Sequence, residues 1–207
     1  MRKNETSNKN KKRIIKVFII TLIILAALAL ISVILERCAN KTAEIPEYFY
    51  DFSTPNYEEN IFENEEYLSK DRYLSYTDDM GVTVKITDGD YSAYGLGPSF
   101  FALYFYSLEH ADYQTFESLF TDNYKKTHEL PKNFTMQKIY NKSIAYYNDE
   151  TKDAENFITY KVEYYIMKND GTFRDDMGSD CTRTQYITLK YDQNGAQIDA
   201  IKSVYAK

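Results

Sequence analysis

The stretch GPSFFALYFYSLEHADYQTFESLFTDNY, residues 97–124, determines how the second half of this chain folds. Its opening Gly-Pro pair combines a helix breaker with Pro98, a residue suited to a first helical turn. Asp112 is a favoured N-cap, so a second helix begins there and ends near Tyr124. The spacing places one apolar stripe on a single face of the first helix: Phe101, Phe105 and Leu108. The adjacent face is also aromatic, which predicts that the first helix packs against more than one neighbour.

Alternating apolar and polar residues after position 130 predict strands. Residues 157–168, FITYKVEYYIMK, carry the cleanest period-two pattern, which is typical of an antiparallel strand with one buried side. Residues 184–191 repeat it, and the Asn-Gly dipeptide at 194–195 is a strong hairpin signal. The return strand at 196–205 breaks strict alternation, which indicates a bulge. Residues 136–147 are predicted to form the first of these strands, and turn residues at 78–81 favour a short earlier hairpin.

Segregated helices and strands predict an α+β fold. We expect residues 73–207 to form two helices packed on a curved antiparallel sheet of about four strands, with a cone-like interior. The helical stretch FALYFYSLEHADYQTFESLFTDNY, followed by the strands between residues 136 and 205, resembles the nuclear transport factor 2-like superfamily. The chain is also similar to uncharacterised single-pass membrane proteins of low-GC Gram-positive bacteria.

The resemblance implies several possible uses of the cone. Some members of the superfamily are enzymes, such as ketosteroid isomerase and scytalone dehydratase, and others are oligomerisation or protein-binding modules. Membrane-anchored members occur in conjugation and type IV secretion channels. Fold alone does not choose among these uses.

A second decisive segment, VFIITLIILAALALISVIL at residues 17–35, contains no charged residue. About 20 apolar residues span a bilayer as a helix, so we predict a transmembrane helix at 17–37. Residues 1–16 hold seven Lys/Arg and one Glu, which predicts a cytoplasmic tail and an extracytoplasmic remainder. A cleaved signal peptide is an alternative, but the apolar run continues for six residues beyond its candidate site at 27–29. A lipoprotein reading fails because Glu36 and Arg37 precede Cys38.

Between the membrane and the domain, residues 38–72 are acidic and rich in aromatic residues. The segment is either a flexible stalk or a strap pinned to the domain by its rings. Its candidate partner-binding residues are Tyr48, Tyr50, Phe52, Tyr57 and Phe62.

The chemistry-bearing residues predict no catalytic site. Candidate residues for the lining of the cone are Tyr104, His110, Tyr160 and Tyr164. His110 with Asp112, and His128 with Glu129, are the only candidate acid–base pairs, and both fall at predicted helix ends. The inward positions of the strand at 157–168 carry no carboxylate, although the isomerase chemistry of the superfamily requires an acid there. The two cysteines, Cys38 and Cys181, are expected to be free thiols, and no metal-ligand spacing or cofactor motif is present.

Charge argues against nucleic-acid binding. The chain has net charge −6, and because residues 1–16 carry +6, the remainder carries −12. A phosphate backbone needs a basic face. The sequence therefore predicts a non-catalytic single-pass envelope protein. Its extracytoplasmic domain is expected to bind a protein partner or a second copy, and a secretion or conjugation complex is one setting for it. The alternative is a small-ligand-binding or enzymatic domain that uses a tyrosine-lined cone.

Overall fold

A six-stranded sheet forms the main body of the protein. The computed structural model describes residues 50–193 and 195–204, in which six strands form one sheet. The strands are β1 (Leu74–Thr77), β2 (Thr83–Ile86), β3 (Ile139–Lys152), β4 (Glu155–Ile166), β5 (Gln185–Asp192) and β6 (Gly195–Ser203). The helices are α1 (Glu65–Leu68), α2 (Leu96–Glu109), α3 (Tyr113–Ser118) and α4 (Asp122–Thr127). Short 3-10 turns lie at Ile61–Glu63 and Tyr91–Tyr94.

The sheet has the order β2-β1-β3-β4-β5-β6. Strands β3 to β6 form consecutive antiparallel pairs, and β1 pairs with β2 in the predicted short hairpin. Strand β1 lies parallel to β3, so the sheet is mixed. The bulge predicted in β6 is confirmed, because the register shifts where Thr188 faces Ala200 and Leu189 faces Ile198.

Helix α2 lies across one face of this sheet. Its buried aromatic residues interlock with those of β4: the ring of Phe101 lies 5.5 Å from Tyr160, and Phe105 lies 5.4 Å from Tyr164. Both contacts are edge-to-face, the arrangement that aromatic pairs prefer. Gly97 allows the start of α2 to approach the sheet closely, because a Cβ there would lie 2.5 Å from the Tyr160 ring.

The fold differs from the predicted one in three respects. The sheet has six strands and is mixed, whereas about four antiparallel strands were predicted. The described residues contain four α-helices where two were predicted, and one of them, α1, falls in the predicted stalk. The physical reason for the extra strands is the parallel pairing of β1 with β3, which joins the short hairpin to the sheet. Local periodicity does not reveal such a long-range pairing.

The predicted second helix is divided into α3 and α4 because the backbone between them pairs with β6. The amide of Ile198 donates to the Leu119 carbonyl across 2.7 Å, and the Thr121 amide donates to the Ile198 carbonyl across 3.0 Å. Thr121 then caps α4, since its hydroxyl accepts from the Tyr124 amide at 3.1 Å. Because the backbone around Phe120 bonds to β6 in this way, it cannot continue the helix, and it forms a short β-bridge to the sheet instead.

The part of the predicted stalk that the structure describes packs on the sheet body. We call residues 50–72 the strap. Ile61 and Tyr67 are fully buried in a small core with Met167. The Tyr67 hydroxyl donates to the Ile139 carbonyl at 3.1 Å, and the Ser53 amide donates to Asn169. Of the two alternatives for this segment, the pinned strap describes residues 50–72.

In the described part of the chain, no helix has the length and apolar character needed to cross a membrane. The predicted membrane helix at 17–37, the tail at 1–16 and residues 38–49 lie outside that part, as does residue 205 at the end of the predicted last strand.

Candidate functional site: an aromatic cleft between helices and sheet

The space between α2 and the sheet, where the sequence predicts the interior of a cone, is filled with side chains. Three of the four residues predicted to line it, Tyr104, Tyr160 and Tyr164, lie there with at most 2% of their surface exposed. Burial raises the pKa of Tyr104 and of Tyr160 well above the ordinary value for tyrosine. These phenols are therefore protonated at neutral pH and can donate hydrogen bonds, but they are unsuited to act as bases.

The fourth predicted residue, His110, lies outside the cone. It follows the last residue of α2 and is exposed, with its ring stacked on Tyr106 at 3.9 Å and near Phe62 at 4.9 Å. Its proposed neighbour Asp112 caps α3 by accepting from the Thr115 amide at 3.0 Å. Both residues serve the helix corner, and neither reaches the interior.

An open cleft of about 300 Å³ lies beside the filled interior, between helices α2 to α4 and the sheet. We call it the aromatic cleft. Its aromatic walls are Tyr104, Phe116, Phe120, Tyr124 and Phe173, and its polar lining consists of Glu129, Arg174, Asp175, Asp176, Gln185 and Ser203. Leu130, Pro131 and Ile201 complete it. Its volume is at the lower end of the range for small-molecule sites.

The sequence positions the aromatic wall by a spacing of four residues. Phe116, Phe120 and Tyr124 keep to one side of the chain although the helix is interrupted between α3 and α4. Successive ring centroids in this row are 5.0 Å apart. Phe173, in the loop after β4, meets the ring of Phe116 edge-on at 5.8 Å. The wall is thus a continuous set of packed rings drawn from α2, α3, α4, the link between α3 and α4, and the loop after β4.

The polar side of the cleft is organised by Arg174, which is buried. Its Nη1 donates to the Tyr164 hydroxyl oxygen at 2.8 Å, and its Nη2 and Nε both donate to the Asp176 carboxylate. Nη1 of Arg183 also reaches Asp176, at 3.4 Å. Although burial alone raises the pKa of Asp176, the hydrogen bonds and charge of Arg174 lower it overall, so this carboxylate is ionised. The guanidinium is held by the protein itself.

Gln185, on β5, carries the unexplained polar atom of the cleft. The residue is 6% exposed, and its Nε2 donates to the Ser203 hydroxyl at a long 3.3 Å. Its Oε1 is buried and accepts no hydrogen bond from any described residue. Leaving a buried acceptor unpaired costs about 1–3 kcal/mol, so native structures keep few of them. A ligand that donates to this oxygen would recover that energy.

A second cleft, of about 380 Å³, lies between the strap and the sheet and is mainly polar. Its lysines are already paired, Lys138 with Glu59 at 2.6 Å and Lys168 with Glu66 at 3.0 Å, and the Asp170 carboxylate accepts from the Thr135 hydroxyl at 2.6 Å. Gln137 there also has a buried, unpartnered Oε1, but its Nε2 donates to Thr135 and so anchors the side chain. We favour the smaller aromatic cleft because it combines a wall of aromatic rings with the unpartnered oxygen of Gln185.

The stalk residues predicted to bind a partner contact the domain itself. Arg183 donates to the Tyr50 hydroxyl at 2.7 Å, and the Phe52 ring lies against Gly171. The Tyr57 hydroxyl donates to the Asn133 carbonyl at 3.3 Å, although the ring is mostly exposed. Phe62 lies against His110, as described above, and Tyr48 lies outside the described residues. These rings fasten the strap.

Sequence reasoning missed Arg174 and Gln185 as site residues. Arg174 falls in the loop after β4, and nothing in the neighbouring sequence marks its burial. Gln185 did carry a signal, because it occupies an inward position of the strand in which Ile187 and Leu189 point to the core. A polar residue at an inward strand position requires a partner.

The described residues contain no group of three or more His, Cys, Asp or Glu that could hold a metal ion. Cys181 is exposed and free. Comparisons of the chain with known protein families, with curated proteins and with solved structures found no match.

Proposed function

We propose that this protein is a non-catalytic, single-pass envelope protein whose extracytoplasmic domain binds a partner protein by seating one side chain in the aromatic cleft. The observation that carries the proposal is the combination of an open aromatic wall with the buried, unpartnered Gln185 oxygen. Interfaces commonly concentrate their energy in one anchor that fills a small desolvated pocket. A cleft of about 300 Å³ has room for one such side chain.

Several acid–base groups in and beside the cleft are already engaged by the protein, which supports binding over catalysis. Asp176 is engaged by two arginines, and Tyr104 and Tyr160 are kept protonated by burial, which raises the pKa of each phenol. His128, the one histidine near the cleft, stacks on Tyr124 at 4.3 Å and bonds to its neighbour Thr127. A general base needs a free position within reach of a substrate proton.

Membrane placement rests on the sequence. The uncharged segment at 17–35 and the basic tail before it favour one crossing with residues 38–207 outside the cytoplasm. The likeness to the nuclear transport factor 2-like superfamily remains part of the proposal, since a helix-backed sheet enclosing a cone is what it implies. A role in a secretion or conjugation complex is one setting in which such a domain would serve.

Photocrosslinking in cells tests the proposal. A photoreactive residue in place of Leu130, at the cleft, should give a discrete adduct in the full-length protein. The same residue in place of Thr83, in edge strand β2 at the opposite end of the sheet order, should give none. Gln185→Met should weaken the Leu130 adduct. Equal labelling from both positions, or an adduct indifferent to Gln185, would refute binding at the cleft.

Self-association is a second candidate, favoured by the outer face of α2. Leu96, Leu103 and Tyr106 are 36%, 45% and 50% exposed and follow the spacing of a coiled-coil seam. Sedimentation of the full chain in detergent tests it. A dimer that Leu103→Glu dissociates, while Leu68→Glu on the strap does not, would support this surface, and a monomer in both cases would exclude it.

A further inference from the structure

The aromatic cleft is surrounded by acceptors and negative charge. Its lining includes three carboxylates, Glu129, Asp175 and Asp176, against the single cation Arg174. Asp175 is exposed and has no hydrogen-bond or ion-pair partner among the described residues. Glu129 meets Lys132 at 3.6 Å, but both side chains are more than 70% exposed, and such pairs contribute little. Asp176 is neutralised by Arg174 and Arg183, so the uncompensated charge of the lining is negative and comes from Asp175 and the weakly paired Glu129.

The strongest donor of the cleft is already committed. Arg174 is held by the Asp176 carboxylate and the Tyr164 hydroxyl, so it is not free to receive an anion. Gln185 favours a ligand that donates hydrogen bonds, because its Nε2 already donates to Ser203 while its Oε1 accepts from no described residue. What the site lacks is a donor, and it has an excess of acceptors.

The walls add to the same preference. The faces of aromatic rings attract cations through their quadrupole, by about 0.5–2 kcal/mol per contact. Phe116, Phe120 and Tyr124 form a continuous row of rings along the cleft. An alkyl chain that carries an ammonium or guanidinium group would bury its stem against these rings and direct its N–H groups to the acceptors.

We propose that the aromatic cleft binds an organic cation, an apolar stem bearing a donor-rich positive group, as in a lysine or arginine side chain or a small aliphatic amine. The inference rests on the proposed function, to which it adds the chemical class of the anchor. The carboxylates of Asp175 and Glu129 supply long-range attraction, and the Gln185 oxygen accepts from the cationic head.

A matched series of small probes tests the charge preference. Pentylamine, 1-pentanol and pentanoate share one stem and differ in charge, and their binding to the full-length protein in detergent is measured by NMR shifts of cleft residues. We expect the ammonium to bind at least about fivefold tighter than the alcohol, and pentanoate not to bind. Equal binding of ammonium and alcohol would overturn the cation assignment while leaving the cleft a binding site. Failure of all three would overturn the assignment as well, and the crosslinking result would then decide the proposed function separately.

Variants and peptides sharpen the test. The double variant Asp175→Asn/Glu129→Gln should reduce the preference for ammonium to about twofold or less, whereas Asp79→Asn, in the β1–β2 turn, should leave it unchanged. If both variants reduced the preference for ammonium equally, the carboxylates of Asp175 and Glu129 would make no particular contribution to cation binding. Capped tripeptides with central lysine or norleucine distinguish the source: a lysine peptide that binds tighter than pentylamine assigns the cation to a protein, and a weaker one assigns it to a free amine.

Discussion

Nη1 of Arg174 donates to the Tyr164 hydroxyl oxygen across 2.8 Å, and this bond joins the polar side of the aromatic cleft to the buried core. Tyr164 lies on β4 beneath α2, and Arg174 lies in the loop that follows β4. The loop is therefore fixed to the sheet by a buried, charge-assisted bond, a type that contributes more than a neutral one. The walls of the cleft are preformed to that extent.

Removing the Tyr164 hydroxyl should loosen this connection. We expect Tyr164→Phe to lower the free energy of unfolding by about 1.5–3 kcal/mol, because a buried guanidinium loses an acceptor. Urea unfolding of the full chain in detergent, followed by tyrosine fluorescence, measures the change, since the chain has no tryptophan. Tyr147→Phe is the control, because Tyr147 is 60% exposed. Equal losses from both variants would show that the Arg174 bond contributes nothing particular.

The two buried glutamines should respond differently to substitution. Gln185→Met removes an unpaired acceptor at the cost of one long hydrogen bond, so we expect stability to be unchanged or raised by about 1 kcal/mol. Gln137→Met removes bonds to the Thr135 carbonyl and hydroxyl and should cost about 1–3 kcal/mol. Thermal unfolding of both variants compares them directly. A stability loss for Gln185→Met as large as that for Gln137→Met would contradict the assignment of Gln185 to ligand binding.

Gly97 should not tolerate a side chain. A Cβ at this position would lie 2.5 Å from the ring of Tyr160, so Gly97→Ala is expected to destabilise the protein by about 1–3 kcal/mol through overpacking. The double variant Gly97→Ala/Tyr160→Leu should cost less than the sum of the two single changes, because the smaller side chain makes room. If the stability losses of the two single variants simply add in the double variant, the contact between position 97 and the Tyr160 ring is not the cause of the destabilisation.

Acid should weaken the loop through Asp176. Its pKa is lowered in the folded protein, so its contribution is present above the unfolded pKa and is lost as the pH falls through the folded value, below about 4. We expect Asp176→Asn to lower the free energy of unfolding by about 2 kcal/mol at pH 6, less than for a fully buried ion pair because the Asp176 side chain is a quarter exposed. The variant should also lose less stability than the parent as the pH falls. Asp175→Asn is the matched neighbour and should change neither. Unfolding midpoints measured between pH 6 and pH 3 decide between these outcomes. If the midpoint of Asp176→Asn falls as steeply with pH as that of the parent, the Asp176 carboxylate is not the cause of the acid sensitivity.

Local pattern predicted much of the sheet. The alternation at 157–168 corresponds to β4, and β5 and β6 begin and end within two residues of the predicted strands in the described part of the chain. Alternation is imposed by one buried face, so it can be seen without knowing the partner strand. The extent of α3 was not predictable in the same way, because its end depends on Ile198, which is distant in sequence.

The candidate site was harder to predict than the fold. Helical spacing placed Tyr104 on an apolar face of its helix, and the side chain is buried, since a helix buries residues that recur on one face. His110 was assigned to the same lining, yet one further turn carries it past the end of α2 into solvent. Arg174 can be recognised as a site residue only from the tertiary structure, in which the loop after β4 brings it into hydrogen-bonding contact with Tyr164.

The sequence by itself determined the types of most elements, the acidic character of the body and the uncharged segment at 17–35. These depend on composition and short-range period, which each segment carries alone. The tertiary structure decided the parallel pairing of β1 with β3, the attachment of the strap and the gathering of Phe120, Arg174 and Gln185 around one cleft. Those features arise from contacts between residues far apart in the chain, where free energy depends on packing and burial that no single segment contains.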